Sequence, residues 1–94
     1  PDMINAYLQR ASVYSYIKDY EKAVADLTVV INHDDKEVFA YISRGSAYNK
    51  LKKYQKAMAD FNKALSIDPE NQEAYNNRGW AKKFTGDKKG ACQD

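Results

Sequence analysis

The sequence is poor in the residues that carry metal or nucleophilic chemistry. Its 94 residues include one cysteine, Cys92, and one histidine, His33, which stand in different parts of the chain. A zinc site needs three or four such ligands, and a nucleophile needs a neighbouring base. Asp34 and Asp35 lack the glycine and the downstream glutamate of a calcium loop. We therefore predict no enzyme, no cofactor and no metal site.

Strong net charge and long apolar runs are also missing. The formal net charge is +2, which is too small to suggest a nucleic-acid partner, and the cluster Lys50, Lys52, Lys53 and Lys56 is typical of a solvated turn. No apolar run approaches the roughly 20 residues that span a bilayer, and no secretory signal is present. We predict no nucleic-acid partner and no membrane insertion, and we take a cytoplasmic location as the default. Because the chain begins at Pro1 rather than Met, we expect a longer parent protein.

What the sequence does contain is an internal repeat. The pattern Ala-Tyr-x-x-Arg, followed by Ala or Gly, begins at Ala6, Ala40 and Ala74, so the interval between copies is the same both times. A fixed period in the range of about 20–50 residues predicts an array of one supersecondary unit, which buries its apolar face by stacking on its copies. We predict a single array over residues 1–94, with units 4–37, 38–71 and 72–94, the last of them incomplete.

Each complete unit carries the marks of two helices. Four residues at i, i+3, i+4 and i+7 define a first helical stripe, and a second apolar stripe follows. The connections at 18–19 and 52–53 are short enough only for a tight hairpin, while Pro69 ends the fourth helix. The first stripes are Tyr7, Arg10, Ala11, Tyr14 and Tyr41, Arg44, Gly45, Tyr48; the second are Ala23, Leu27, Val30, Ile31 and Ala57, Phe61, Ala64, Leu65.

These units resemble the tetratricopeptide repeat, and the resemblance covers nearly all of the chain. It implies an all-α fold, a right-handed superhelical α-solenoid of antiparallel helix-turn-helix repeats, and a role in protein–protein recognition. The second unit carries the family's motif most fully, in Tyr41, Gly45, Tyr48, Tyr54, Ala57, Phe61, Ala64 and Pro69.

Two further features repeat with the same period. Arg10, Arg44 and Arg78 occupy a slot that is more commonly leucine in the family, and Asp26 and Asp60 are separated by the same interval. We predict that each arginine approaches an aspartate of its own or the preceding unit. The helical glycines at 45 and 79 predict close approach of the second helix in each hairpin, with alanine tolerated at 45.

The face of each first helix that the tyrosine stripe leaves free is the candidate binding surface. The resemblance implies that it lines a concave groove, where amides would bond to an extended peptide and aromatic residues would anchor its side chains. Asn76 and Asn77 are the strongest candidates, since helix interiors disfavour asparagine. For Trp80 and Phe84, packing against the second helix of their own unit or against a following unit is the alternative. The predicted groove residues are Ser12, Tyr16, Phe39, Ile42, Ser43, Ser46, Asn49, Asn76, Asn77, Trp80, Lys83 and Phe84.

One kind of ligand is disfavoured. Chaperone-binding members of the family hold the terminal carboxylates of a peptide with a clamp of lysine, asparagine, asparagine, lysine and arginine. At the matching places this chain has Leu8, Ser12, Ser43, Glu73 and Asn77. We predict a non-catalytic module that binds an extended peptide segment of a protein partner without this clamp. The alternative is a structural spacer or self-association element of a larger repeat protein.

The incomplete third unit predicts an open face. Its first helix is expected over 71–84, and residues 88–94 are too few for an independent helix, since isolated helices below about 12–15 residues are marginal. An apolar face left open in this way seeks another chain. We expect either a homo-oligomer through the C-terminal face or lower stability than in an extended chain.

Overall fold

In the computed structural model, the described part of the chain forms five α-helices. The structure describes the backbone of residues 2–93 and the side chains of residues 4–85, and no strand occurs in that part. Each helix packs against the next one along the chain, and α3 also contacts α5. The helices are α1 (Asp2–Tyr16), α2 (Tyr20–His33), α3 (Val38–Lys50), α4 (Tyr54–Ile67) and α5 (Gln72–Gln93). The predicted all-α solenoid is confirmed.

The two hairpin turns share one backbone geometry. Lys18 and Lys52 have φ values of 68° and 63°, the left-handed conformation that commonly ends a helix. The amide of Asp19 donates to the carbonyl of Tyr14 at 2.7 Å, and the amide of Lys53 donates to the carbonyl of Tyr48 at 2.8 Å. These bonds satisfy carbonyls that the helix ends would leave unpaired. The turns therefore reverse the chain within a few residues.

The connection between the second and third units contains a proline and ends in a polar cap. Asn71 precedes α5, and its Oδ1 accepts a hydrogen bond from the amide of Ala74 at 2.9 Å, which satisfies one of the free amides at the helix start. Pro69 follows the end of α4 by two residues. It has no amide hydrogen, and it disfavours helical backbone at Asp68.

The core runs along the helix interfaces. Every residue of both predicted second stripes is buried, and Phe61, Leu27 and Val30 are the largest side chains that are fully enclosed. Ala40 and Ala74, which open the repeated pattern in α3 and α5, are 0% exposed. These small residues let neighbouring helices approach closely, and this contact fixes the positions of the first helices α1, α3 and α5.

The glycines at positions 45 and 79 have different surroundings. A Cβ atom at Gly45 would lie 2.7 Å from Cε1 of Phe61 on α4, so the predicted close approach is confirmed there. The expected tolerance of alanine at 45 is wrong, because the buried Phe61 ring fills that space. At Gly79 no such neighbour lies within 4 Å, and the expectation of close contact at that position is also wrong among the described residues.

The last helix is longer than the sequence suggested. Instead of ending near residue 84, α5 continues to Gln93. Extending an existing helix adds a hydrogen bond for each residue fixed and avoids the cost of nucleating a new one. The expected homo-oligomer stays a prediction. Among the described residues, no helix is long and apolar enough to cross a membrane.

Candidate functional site

A groove of about 360 Å³ lies between the first helices of the first two units. Its walls come from α1 and α3, α2 contributes part of its lining, and α5 adds one residue at an end. Below, "the groove" means the space lined by Leu8, Ala11, Ser12, Ser15, Tyr20, Leu27, Phe39, Ile42, Ser43, Ser46, Ala47, Lys50 and Glu73.

The floor of the groove is apolar and already packed. Ala11, Leu27, Ile42 and Ala47 belong to the buried core, so they offer a fixed surface rather than a deep pocket. Phe39 stands above this floor and is 53% exposed. An exposed aromatic ring beside an apolar floor can cover an apolar side chain of a ligand.

Hydroxyl groups line the walls. Ser12 lies on α1, while Ser43 and Ser46 lie on α3. The hydroxyl of Ser12 donates to the carbonyl of Leu8 at 3.1 Å, and its oxygen keeps lone pairs with which to accept a hydrogen bond. Serines at this spacing can pair with the amides of an extended chain without demanding particular side chains.

The two ends of the groove carry opposite charges. Lys50 is the last residue of α3 and Glu73 lies in the first turn of α5, and both side chains are exposed. Neither forms a salt bridge with another described residue. Each charge is therefore available to a ligand.

The structure brings together five of the predicted groove residues and separates the others. The five that line the groove are Ser12, Phe39, Ile42, Ser43 and Ser46. Outside it lie Tyr16, which is 88% exposed, and the α5 residues Asn76, Asn77, Trp80 and Lys83. Their roles stay predictions.

Asn49 is buried between helices rather than facing the groove. It is 9% exposed, and its Nδ2 donates to the carbonyl of Asn77 at 3.3 Å. Its Oδ1 has no hydrogen-bond partner among the described residues, although burying an unpaired acceptor costs about 1–3 kcal/mol. Asn49 therefore links α3 to α5.

The aromatic residues of α5 pack on one another and on α4. The ring of Phe84 stacks on Tyr54, with centroids 4.8 Å apart and planes at 9°. Trp80 meets Phe84 edge to face at 5.2 Å. Phe84 thus packs on the second helix of the preceding unit, and not on the second helix of its own unit or on a following unit as the alternative expected, while Trp80 remains 52% exposed.

The predicted arginine–aspartate pairs are confirmed in both complete units. The guanidinium of Arg44 donates two hydrogen bonds to the buried Asp60 carboxylate, at 2.8 and 2.9 Å. Arg10 binds Asp26 in the same way at 2.7 and 2.8 Å. The hydrogen bonds that they donate to these aspartates raise the pKa of both arginines above the ordinary value. Both pairs fix a first helix to the second helix of its own hairpin.

The arginines also reach backward along the array. Nη1 of Arg44 donates to Oγ1 of Thr28 at 3.1 Å, and Nη1 of Arg78 donates to Oδ1 of Asn62 at 2.8 Å. Thr28 and Asn62 are separated by one repeat interval, so the same contact joins successive units twice. These bonds hold α1, α3 and α5 in register and so set the width of the groove.

Sequence reasoning left out several lining residues. The 100° advance per residue places Leu8, Ser15, Lys50 and Glu73 on the predicted helix face, but the list of predicted groove residues omitted them. Tyr20 and Leu27 could not be found in this way, because they belong to α2 and enter the groove only through tertiary packing. No group of three or more His, Cys, Asp or Glu in the described part of the chain could hold a metal ion.

Comparison with known families agrees with this architecture. Models of the tetratricopeptide repeat match residues 4–31, 38–71 and 61–93. The solved TPR domain of Arabidopsis OM64 is 32% identical, with a TM-score of 0.82, and the match covers 86% of this chain and 67% of that one. The chain belongs to the tetratricopeptide repeat family. A search of curated proteins gave no significant match.

Two other similar structures contain bound ligands. The second TPR domain of human RPAP3, in complex with the HSP70 peptide SGPTIEEVD, has a TM-score of 0.86 and 27% identity, and the match covers 97% of this chain and 76% of that one. The TPR2B domain of yeast Sti1, in a complex with pHsp70, has a TM-score of 0.88 and 25% identity, over 99% of this chain and 74% of that one. The fold of this chain is thus that of peptide-binding interaction modules.

Proposed function

We propose that this chain is a non-catalytic protein-interaction module that binds an extended segment of a partner protein in the groove. The observation that carries the proposal is the groove itself: an apolar floor, hydroxyl-lined walls and an exposed Phe39. Similar structures that hold peptides support a ligand of this class. An extended chain has unpaired amides and carbonyls, and these groups need the partners that the serines supply.

The rigidity of the groove favours recognition over a purely structural role. The side chains of Arg44 and Asp60, which pair behind its wall, are 18% and 6% exposed. A surface that is already ordered loses little conformational entropy when it binds a ligand. A spacer or self-association element, which is the alternative, has no need of a groove with unpaired charges of opposite sign at its two ends, so these charges also favour ligand binding.

The test begins with random peptides displayed on phage and selected against the chain. Enriched peptides are then synthesised, and their dissociation constants are measured for the chain and for two variants. Ser12→Trp places a bulky ring in the groove, where the exposed serine leaves room for it. Ser66→Trp is the matched control, because Ser66 is also exposed on a helix and also donates to its own backbone, at 2.6 Å.

We expect Ser12→Trp to weaken binding at least tenfold and Ser66→Trp to leave it unchanged. Circular dichroism melts of both variants verify that each one folds. Failure of the selection to yield any peptide, or equal binding by both variants, contradicts the proposal.

A further inference from the structure

The charges at the ends of the groove indicate which segments it accepts. We propose that the groove selects an internal segment of a partner protein in which a basic and an acidic residue, four positions apart, flank an apolar residue. This inference rests on the proposed peptide-binding function of the same groove. It adds the chemistry of the ligand.

The geometry of α3 and α5 sets the spacing. Glu73 stands one repeat interval after Phe39 and so holds the same place in α5 that Phe39 holds in α3, near the N-terminal end. Lys50 ends α3, eleven residues after Phe39, which corresponds to about 16 Å along the helix, and the separation of packed helices adds a lateral offset of about 8–10 Å, so that the span is about 19 Å. An extended chain advances about 3.3 Å per residue and returns its side chains to one face every second residue. Two side chains four positions apart therefore span about 13 Å, and the length of a lysine or glutamate side chain covers the remainder.

Between the charges, the groove offers an apolar surface. Ile42 and Ala47 lie on α3 and Ala11 lies on α1. In an extended ligand, the residue midway between the two charged positions points to the same face as both of them. An apolar residue at that position would cover Ile42 and Ala11, which lie between the levels of Glu73 and Lys50 along the helices.

The same charges disfavour an acidic chain terminus. The rim of the groove carries one cation and one carboxylate, so it has no cluster of positive groups for a terminal carboxylate and neighbouring acidic side chains. Glu73 would repel a second acidic group. In an internal segment with one charge of each sign, each charged side chain can face the rim residue of opposite sign, and neither rim charge is repelled.

Three peptides of equal length, acetylated and amidated so that they imitate an internal segment, test the proposal. The first is Ser-Lys-Ser-Leu-Ser-Glu-Ser. The second has lysine at both charged positions and the third has glutamate at both. The same segment with its charges exchanged, Ser-Glu-Ser-Leu-Ser-Lys-Ser, covers the opposite direction of the peptide along the groove, and the tighter binder of these two is taken as the mixed peptide. Dissociation constants are measured by fluorescence anisotropy at low and high salt.

We expect the mixed peptide to bind about three- to tenfold more tightly than either of the others, as for two exposed charge contacts. The preference should shrink at high salt. Changing the rim should change the ranking: Lys50→Glu should prefer the peptide with two lysines, and Glu73→Lys the peptide with two glutamates.

The outcomes separate this inference from the proposed function. Equal binding of all three peptides, abolished by Ser12→Trp, overturns the charge pattern and leaves the peptide-binding role intact. Absence of binding by any peptide to the chain and to both rim variants overturns both. An unchanged ranking in Lys50→Glu and Glu73→Lys also overturns the charge pattern.

Discussion

Replacing Gly45 with alanine should destabilise the fold, although the same change at Gly79 should stabilise it. The new Cβ at residue 45 would lie 2.7 Å from Cε1 and 2.8 Å from Cζ of Phe61, whereas carbon atoms prefer separations of about 3.5–4.0 Å. The Phe61 ring is 0% exposed, so it cannot move aside without disturbing the core. Overpacking of this kind costs about 1–3 kcal/mol.

That cost exceeds the gain in helix propensity, which is about 0.5–1 kcal/mol for glycine to alanine. Gly45→Ala should therefore lower the free energy of unfolding by about 0.5–2 kcal/mol, and a change of about 1 kcal/mol moves Tm by about 4–8 °C in a domain of this size. Gly79→Ala, with open space around its Cβ, should raise Tm by a few degrees. Thermal and urea unfolding of the two variants measure both effects.

A compensating variant tests the cause. The first unit has Ala11 and Leu27 where the second has Gly45 and Phe61. In a Phe61→Leu background, Gly45→Ala should therefore cost nothing, giving a favourable coupling of about 0.5–2 kcal/mol in a double-mutant cycle. If Gly45→Ala raises Tm as much as Gly79→Ala does, the close-contact argument is refuted.

Three other predictions follow from the same contacts. Asp60→Ala should cost about 2–3 kcal/mol of unfolding free energy, because it leaves the partly buried Arg44 without its partner. Asp26→Ala should cost less, since the Arg10 side chain is 56% exposed and can be hydrated, and equal losses in urea melts would contradict this. Lys52→Gly should raise the free energy of unfolding by about 0.5–1 kcal/mol, because glycine relieves the positive φ at this position. Lys53→Gly should give no such gain, since Lys53 has a φ of −97°, and urea melts that show no gain for Lys52→Gly would contradict the prediction. Burial raises the pKa of Tyr41 above its ordinary value, so at high pH the folded state keeps a proton that the unfolded state releases. The free energy of unfolding should therefore fall as pH rises above about 10, and it should fall less steeply in Tyr41→Phe. Identical pH profiles of the two proteins would contradict the prediction.

The repeat could be predicted from the sequence because it recurs at one fixed interval. Tyr41, Gly45 and Phe61 are marked by both spacing and chemistry, and the Arg44–Asp60 pair followed from a shared period. Local patterns of this kind survive folding, since each unit packs in the same way as its copy.

The sequence could not predict features that differ between equivalent repeat positions because their neighbouring helices differ. A helical wheel gives Asn49 and Ser46 similar directions, yet α5 packs over Asn49 and buries it. The wheel treats Gly45 and Gly79 as equivalent, but Phe61 faces only Gly45. Sequence periodicity describes one helix at a time, whereas burial depends on the neighbouring helix.

The central claim is that the face formed by α1 and α3 binds an extended peptide. The most direct test is a two-dimensional NMR titration of the isotope-labelled chain with a peptide from the phage selection. We predict that the largest amide shifts fall on Ser12, Ser43 and Ser46, and that the amide of Ser66 on α4 stays unchanged. Shifts concentrated around Ser66, or spread evenly over all five helices, would contradict the account.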